Sequence, residues 1–132
     1  MKKKERSMQR ILIIDDDRLF LDAMRQNIHE EYPALEVITH EDPIQGIKDI
    51  NASIDLLLLD LEMPGMDGTK LLAYATASGI DKSRIIIISG RDADHLHQIF
   101  PMGVCLAVLN KHEARQKNVL RMVLNSMQAK CG

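Results

Sequence analysis

Short apolar runs alternate with stretches of helical periodicity along the chain. Residues 10–15, 35–39, 56–60, 84–89 and 104–110 are β-branched or leucine-rich runs of strand length. The third, LLLLD, holds no polar residue until its end, and the fourth holds four consecutive isoleucines at 85–88 between Arg84 and Ser89. Unbroken runs of this kind suit strands buried on both faces, as in a parallel sheet. Between the runs the period changes. Leu19, Phe20, Ala23, Met24 and Ile28 follow helical spacing behind Asp17, an N-cap residue type, and Tyr32-Pro33 closes that helix. Asp42-Pro43 opens a second, short helix with Ile44, Ile47 and Ile50 turned inward. Pro64-Gly65 and Asp67-Gly68 turn the chain into a third helix at 69–78, ended by Gly79. A fourth helix is predicted at 92–100, stopped by Pro101. A fifth is predicted at 113–128, with Val119, Leu120, Val123, Leu124 and Met127 on one side. Five strands alternating with five helices predict an α/β fold, a parallel sheet with helices on both faces.

Composition narrows the class. A chain of 132 residues is the length of one domain with a sizeable core. We expect that domain at 10–128, between a flexible basic N-terminus at 1–9 and a short C-terminal tail at 129–132. The net charge of -2 offers no general attraction to nucleic acid or anionic lipid. With 3% aromatic residues and no Trp, stacking platforms for single-stranded nucleic acid are not expected either. No run reaches transmembrane length, and the apolar stretch behind the basic start is too short for a signal peptide. Cys105 and Cys131 have no metal-ligand spacing and read as reduced thiols of a cytoplasmic protein. His95 and His97 are two apart, the wrong spacing for one helix face, so metal binding by histidine is not expected.

The chemistry lies in the polar residues that end the strands. Strand one ends in Asp15-Asp16, strand three in Asp60, strand four in Ser89 and strand five in Lys111. In a parallel sheet all of these emerge at the same carboxyl edge, where open α/β sheets bind ligands. Each residue alone reads as a cap, a turn or a surface charge. Together, crowded carboxylates repel and raise one another's pKa, which a divalent cation relieves, and an all-oxygen site favours Mg²⁺. A lysine supplies a mobile positive charge and a serine a hydroxyl donor. Such a set stabilises charge on a phosphoryl group carried by a carboxylate acting as nucleophile.

On these residues the chain resembles the receiver domains of two-component response regulators, over 10–128. The acidic pair after ILII, Asp60 in LLLLDLEMPGMDG, Ser89 in IIIISG and Lys111 in VLNK match the family pattern, as do the intervals between them. The resemblance implies a doubly wound (βα)5 flavodoxin-like fold, a five-stranded parallel sheet in order 2-1-3-4-5. It implies that Asp60 is the phosphoacceptor, taking its phosphoryl group from a sensor histidine kinase or a phosphotransfer protein. Mg²⁺ (or Mn²⁺) is then held directly by Asp16, Asp60 and the backbone carbonyl of Glu62, with Asp15 acting through water. Lys111 is expected to pair with Asp60 or its phosphoryl group, and Ser89 to turn inward onto a phosphoryl oxygen. Glu62 and Arg91 sit where receivers tune the lifetime of the phosphoryl group, although a plain surface ion pair accounts for them as well. The face made by the fourth helix, the fifth strand and the fifth helix is expected to meet an effector or a second copy. No direct binding of nucleic acid or membrane is expected of this chain, and no output domain within it.

Two positions depart from the family pattern. His112 follows Lys111 where a cis-proline is usual; a cis bond before a non-proline residue costs roughly 3 kcal/mol, so a trans or altered loop is expected. Val108 stands where an aromatic ring usually swings with the switch serine, so output is expected to travel through the loop after Ser89 and the fourth helix. Two other readings compete. A Mg-dependent aspartyl-phosphate phosphatase of haloacid dehalogenase type also places its nucleophile after a buried strand, but it normally has Asp where Glu62 stands. A phosphorylation-independent receiver-like scaffold would have no need for clustered acidic residues.

Overall fold

Alternate residues of each apolar run face opposite sides of one sheet, which is why the central runs at 56–59 and 85–88 hold no polar residue, whereas the edge run at 35–39 holds Glu36. In a computed structural model of the chain, five parallel strands form this sheet: β1 (Gln9–Ile14), β2 (Leu35–His40), β3 (Leu56–Asp60), β6 (Ile85–Ser89) and β7 (Ala107–Asn110). The described residues are 9–63, 65–90, 103, 105–111 and 114–131. The strand order is β2-β1-β3-β6-β7. A separate hairpin pairs β4 (Glu62–Met63) with β5 (Met66–Asp67). With that hairpin set aside, the order along the chain is the expected 2-1-3-4-5.

Two cores result. Leu12, Ile14, Leu57, Leu59, Ile85 and Ile87 point to one side, with Ile50, Ile54, Leu71, Leu72 and Ala75 packed on them. These partners come from α2 (Pro43–Ile47), α3 (Gly68–Ala77) and the segments around them. Ile11, Ile13, Leu56, Leu58, Ile86 and Ile88 point to the other side, under Leu21 and Ile28 of α1 (Arg18–Glu31) and Leu124 and Met127 of α4 (Ala114–Cys131). Each such side chain withdrawn from water contributes about 1.5–3 kcal/mol. Val108 is half-buried against the first core, as is Cys105, whose thiol burial pushes up in pKa. Among the described residues no helix is long and apolar enough to cross a membrane.

Asp17 caps its helix as expected, and two further aspartates cap theirs. Asp17 accepts from the Phe20 amide, Asp42 from Ile44 and Asp67 from Thr69, each satisfying an amide the helix leaves open. Gly79, φ +103°, takes the left-handed conformation that follows α3.

The inward faces differ from those expected. Leu19 is 82% exposed, and Leu21, absent from the expected stripe, is 4% exposed. At 100° per residue Leu19 lies opposite Met24 and Ile28, whereas Leu21 lies beside Ile28. Ile44 is 63% exposed, because α2 has only five residues and turns Gly46 onto β1 instead. On α4, Leu120, Val123, Leu124 and Met127 face the core as expected, but Val119 falls at the stripe's margin and is exposed. That helix runs to Cys131, past the expected end at Gln128, since no Gly or Pro interrupts it. The fourth predicted helix at 92–100, with His95 and His97, lies outside the described residues, as do Arg91 and His112.

Gly46 brings α2 close against β1. A Cβ there would meet Ile14 Cδ1 at 2.8 Å and Cγ1 at 2.9 Å, and Ile14 is fully buried. Gly46→Ala should therefore destabilise the fold by about 1–3 kcal/mol in urea unfolding, despite the better helix propensity of alanine. Adding Ile14→Val, which removes Cδ1, should recover part of that loss. An unchanged or raised stability in the single variant would contradict the packing described.

Candidate functional site

Strand register gathers the site at the carboxyl edge. Ile14 is paired with Leu59, so Asp15, the next residue, leaves β1 beside Asp60. Asp60 is paired with Ile88, which puts Ser89 one position further along β6. Ser89 is paired with Asn110, and the Lys111 amide donates to the Ser89 carbonyl at 2.8 Å. The Asp15 amide in turn donates to the His40 carbonyl at 3.1 Å, fixing the β1 end against β2. Four residues distant in sequence are thus brought together by four strands.

Their environments differ. Asp15, Asp60 and Ser89 are buried, and Asp16 is exposed. One carboxylate oxygen from each of Asp15, Asp16 and Asp60 lies within 4.8 Å of the others, a spacing open to a shared cation. Lys111 Nζ is 2.6 Å from Asp15 Oδ2 and 3.9 Å from Asp60 Oδ2. The tighter partner of Lys111 is therefore Asp15, not the expected Asp60. The other Asp15 oxygen, Oδ1, accepts from the Asp17 amide at 2.8 Å. Asp60 Oδ1 accepts from the Glu62 amide at 3.1 Å.

Two contacts had no signal in the residue spacing. Lys111 Nζ lies 4.8 Å from the centroid of the Phe20 ring, a cation–π distance that holds the ammonium from the α1 side. The Ser89 hydroxyl donates to Glu62 Oε1 at 2.6 Å, so Glu62 reaches the end of β6. The hairpin of β4 and β5 sets Glu62 there, turning at Gly65 with φ +74°. Proline followed by glycine forecasts that turn, but not the reach of the glutamate to the next strand.

Electrostatics single out Asp60. Burial is the main cause that pushes its carboxyl up to about 7; the Glu62 amide opposes this, the Asp15 charge adds to it, Lys111 opposes it, and the Asp16 side chain adds to it. Lys111, held closer to Asp15, does not offset the cost of burying Asp60. An all-oxygen cluster with a carboxylate this reluctant to ionise fits a hard divalent cation.

Comparisons with known proteins give the family and the fold. A family model described as the response regulator receiver domain matches residues 11–122. The chain belongs to that family, the receiver class of two-component signalling, with a CheY-like fold. It is 34% identical over 93 residues to protein-glutamate methylesterase/protein-glutamine glutaminase 2 of Koribacter versatilis, covering 69% of this chain and 25% of that protein. It is 32% identical over 104 residues to the transcriptional regulatory protein CpxR of Escherichia coli, covering 70% of this chain and 44% of that protein. The chain thus spans a quarter to less than half of these relatives' length. A CheY-like receiver domain protein of Methanospirillum hungatei superposes with a TM-score of 0.70 at 27% identity, covering 95% of this chain and 99% of that one. TrrA of Thermotoga maritima, solved in complex with Mg²⁺ and BeF, shares the fold at a TM-score of 0.72 and 22% identity, covering 91% of this chain and 99% of that one.

The raised pKa of Asp60 makes stability depend on pH. The folded form holds its proton up to about 7, whereas the unfolded carboxyl releases it near its ordinary value of about 3.9. The protonated form thus favours folding below the unfolded pKa, and this contribution is lost as pH rises through about 7. Without divalent cation, stability should fall between about pH 4 and pH 7, and Asp60→Asn should remove this slope and stabilise the protein at pH 8 by roughly 1–3 kcal/mol. Urea unfolding across that range checks it; equal slopes in wild type and Asp60→Asn would contradict the assignment.

Proposed function

We propose that the chain is a phosphoacceptor domain in which Asp60 takes a phosphoryl group from the phosphohistidine of a sensor histidine kinase or a phosphotransfer protein. The observation that carries this reading is a buried carboxylate at a strand end, pushed up to about 7, with Asp15, Asp16 and Lys111 around it. An Asp60 oxygen attacks phosphorus; the P–O bond forms as the P–N bond breaks, and the histidine nitrogen leaves with the electron pair. Most of what phosphoryl transfer asks of a protein is positioning and neutralisation of charge.

Asp16, Asp60 and the Glu62 carbonyl would hold Mg²⁺ or Mn²⁺ directly, with Asp15 acting through water. Support for this division comes from the two Asp15 oxygens, which are engaged by Lys111 and the Asp17 amide, whereas Asp16 is exposed. When bound, the cation supplies positive charge to the phosphoryl oxygens. Lys111 would move from Asp15 toward the new phosphoryl group, a shift its 3.9 Å approach to Asp60 makes short. Ser89 would donate to a phosphoryl oxygen. Arg91 is assigned, with Glu62, to tuning the lifetime of the modification. Val108 stands at the usual switch position with a short, stiff side chain. The output face would be that of the fourth predicted helix, β7 and α4, meeting an effector or a second copy.

Acetyl phosphate with Mg²⁺ should label the chain once, at Asp60, and Asp60→Asn should carry no label. Asp15→Ala should slow labelling about tenfold, as for a group acting from outside the metal's direct ligands, and Asp16→Ala should slow it more. Labelling of Asp60→Asn at the wild-type rate would overturn the reading, as would rapid catalytic turnover of the donor in place of a single label that is lost only slowly. Intact-mass measurement with time decides both.

A further inference from the structure

Glu62 touches both ends of the switch. Its amide donates to Asp60 Oδ1 at 3.1 Å, and its carboxylate Oε1 accepts the Ser89 hydroxyl at 2.6 Å. Ser89 is fully buried, so its hydroxyl has little access to water. A serine hydroxyl has one proton to donate. Given to Glu62, that proton is not available to a phosphoryl oxygen on Asp60.

We propose that the Glu62 carboxylate is a resting-state latch on Ser89, which a phosphoryl group on Asp60 must displace before the serine can turn to it. This rests on the phosphoacceptor reading and adds to it the residue that sets the resting bias. The hairpin of β4 and β5 positions the latch, because the backbone of Glu62 is paired with that of Asp67 and so fixes where its side chain starts. Switching is therefore an exchange of acceptors. The serine leaves one anionic oxygen for another, and only the difference between the two drives the change. Hydrogen bonds to an ionised acceptor are roughly twice as strong as neutral ones, so the charge of Glu62 is what makes the latch costly to open.

Binding of beryllofluoride with Mg²⁺ to the full chain, followed by ¹⁹F NMR titration, tests this. Glu62 is exposed overall, so its variants should fold, which amide spectra verify. Glu62→Ala should bind the mimic roughly tenfold more tightly than wild type, the gain expected from releasing a hydrogen bond to a charged group. Glu62→Gln should fall between them, because its amide oxygen still accepts, without charge. In a Ser89→Ala background, Glu62→Ala should change affinity by less than about twofold, since the two residues act through one contact. An equal gain with and without Ser89 would mean that Glu62 merely repels the incoming anion, and would overturn the latch. No gain in either background would overturn it too. Failure of the wild-type chain to bind beryllofluoride is a different result; it would remove the phosphoacceptor reading itself, and the latch with it.

Discussion

The Lys111 ammonium lies between two buried carboxylates, Asp15 at 2.6 Å and Asp60 at 3.9 Å. One positive charge does not balance two negative charges in a site withdrawn from water, where attraction and repulsion are both amplified. The asymmetry of the two distances settles which carboxylate bears the deficit. Asp15 takes the close contact and Asp60 is left reluctant to ionise. A proton, a metal ion or a phosphoryl group with its metal can each relieve that imbalance, and the rest of the structure serves to keep it in place.

The sheet supplies the rigidity. Ile14 beside Leu59 and Asp60 beside Ile88 are register pairs at the carboxyl ends of strands held between two packed cores, and a slip of one residue would move every side chain to the wrong face. Asp15 and Asp60 therefore cannot drift apart to lessen their repulsion. From the α1 side the Phe20 ring confines the ammonium. From the β3 side the hairpin holds Glu62 with its amide on Asp60 and its carboxylate on Ser89. The strained electrostatics thus sit on elements that do not yield, bordered by single side chains that can.

Much of this could be read from the chain, for a physical reason. Strands buried on both faces admit no polar residue, so their ends are sharply marked, and a parallel sheet sends those ends to one edge. Asp15, Asp60, Ser89 and Lys111 were legible for that reason, and Asp17 was legible as a cap, whereas Asp42 read only as part of a helix opening and Asp67 as part of a turn. The inward faces of the helices were less so. Leu19 and Ile44 are apolar yet exposed, because a helix buries a stripe set by its angle to the sheet, and apolar residues near its first turn can lie off that stripe. The preference of Lys111 for Asp15, the Phe20 ring beneath it and the grip of Glu62 on Ser89 depend on side-chain reach between elements far apart in sequence, which spacing does not encode.

The most direct test is a ¹³C NMR titration of the Asp60 side-chain carboxyl, with and without Mg²⁺. Without the cation the carboxyl should titrate near the value of about 7 that burial imposes. With saturating Mg²⁺ the midpoint should fall by several units, because the metal and the proton compete for the same oxygens. A carboxyl that titrates as an ordinary surface aspartate, at the same pH whether or not Mg²⁺ is present, would contradict the account at its centre.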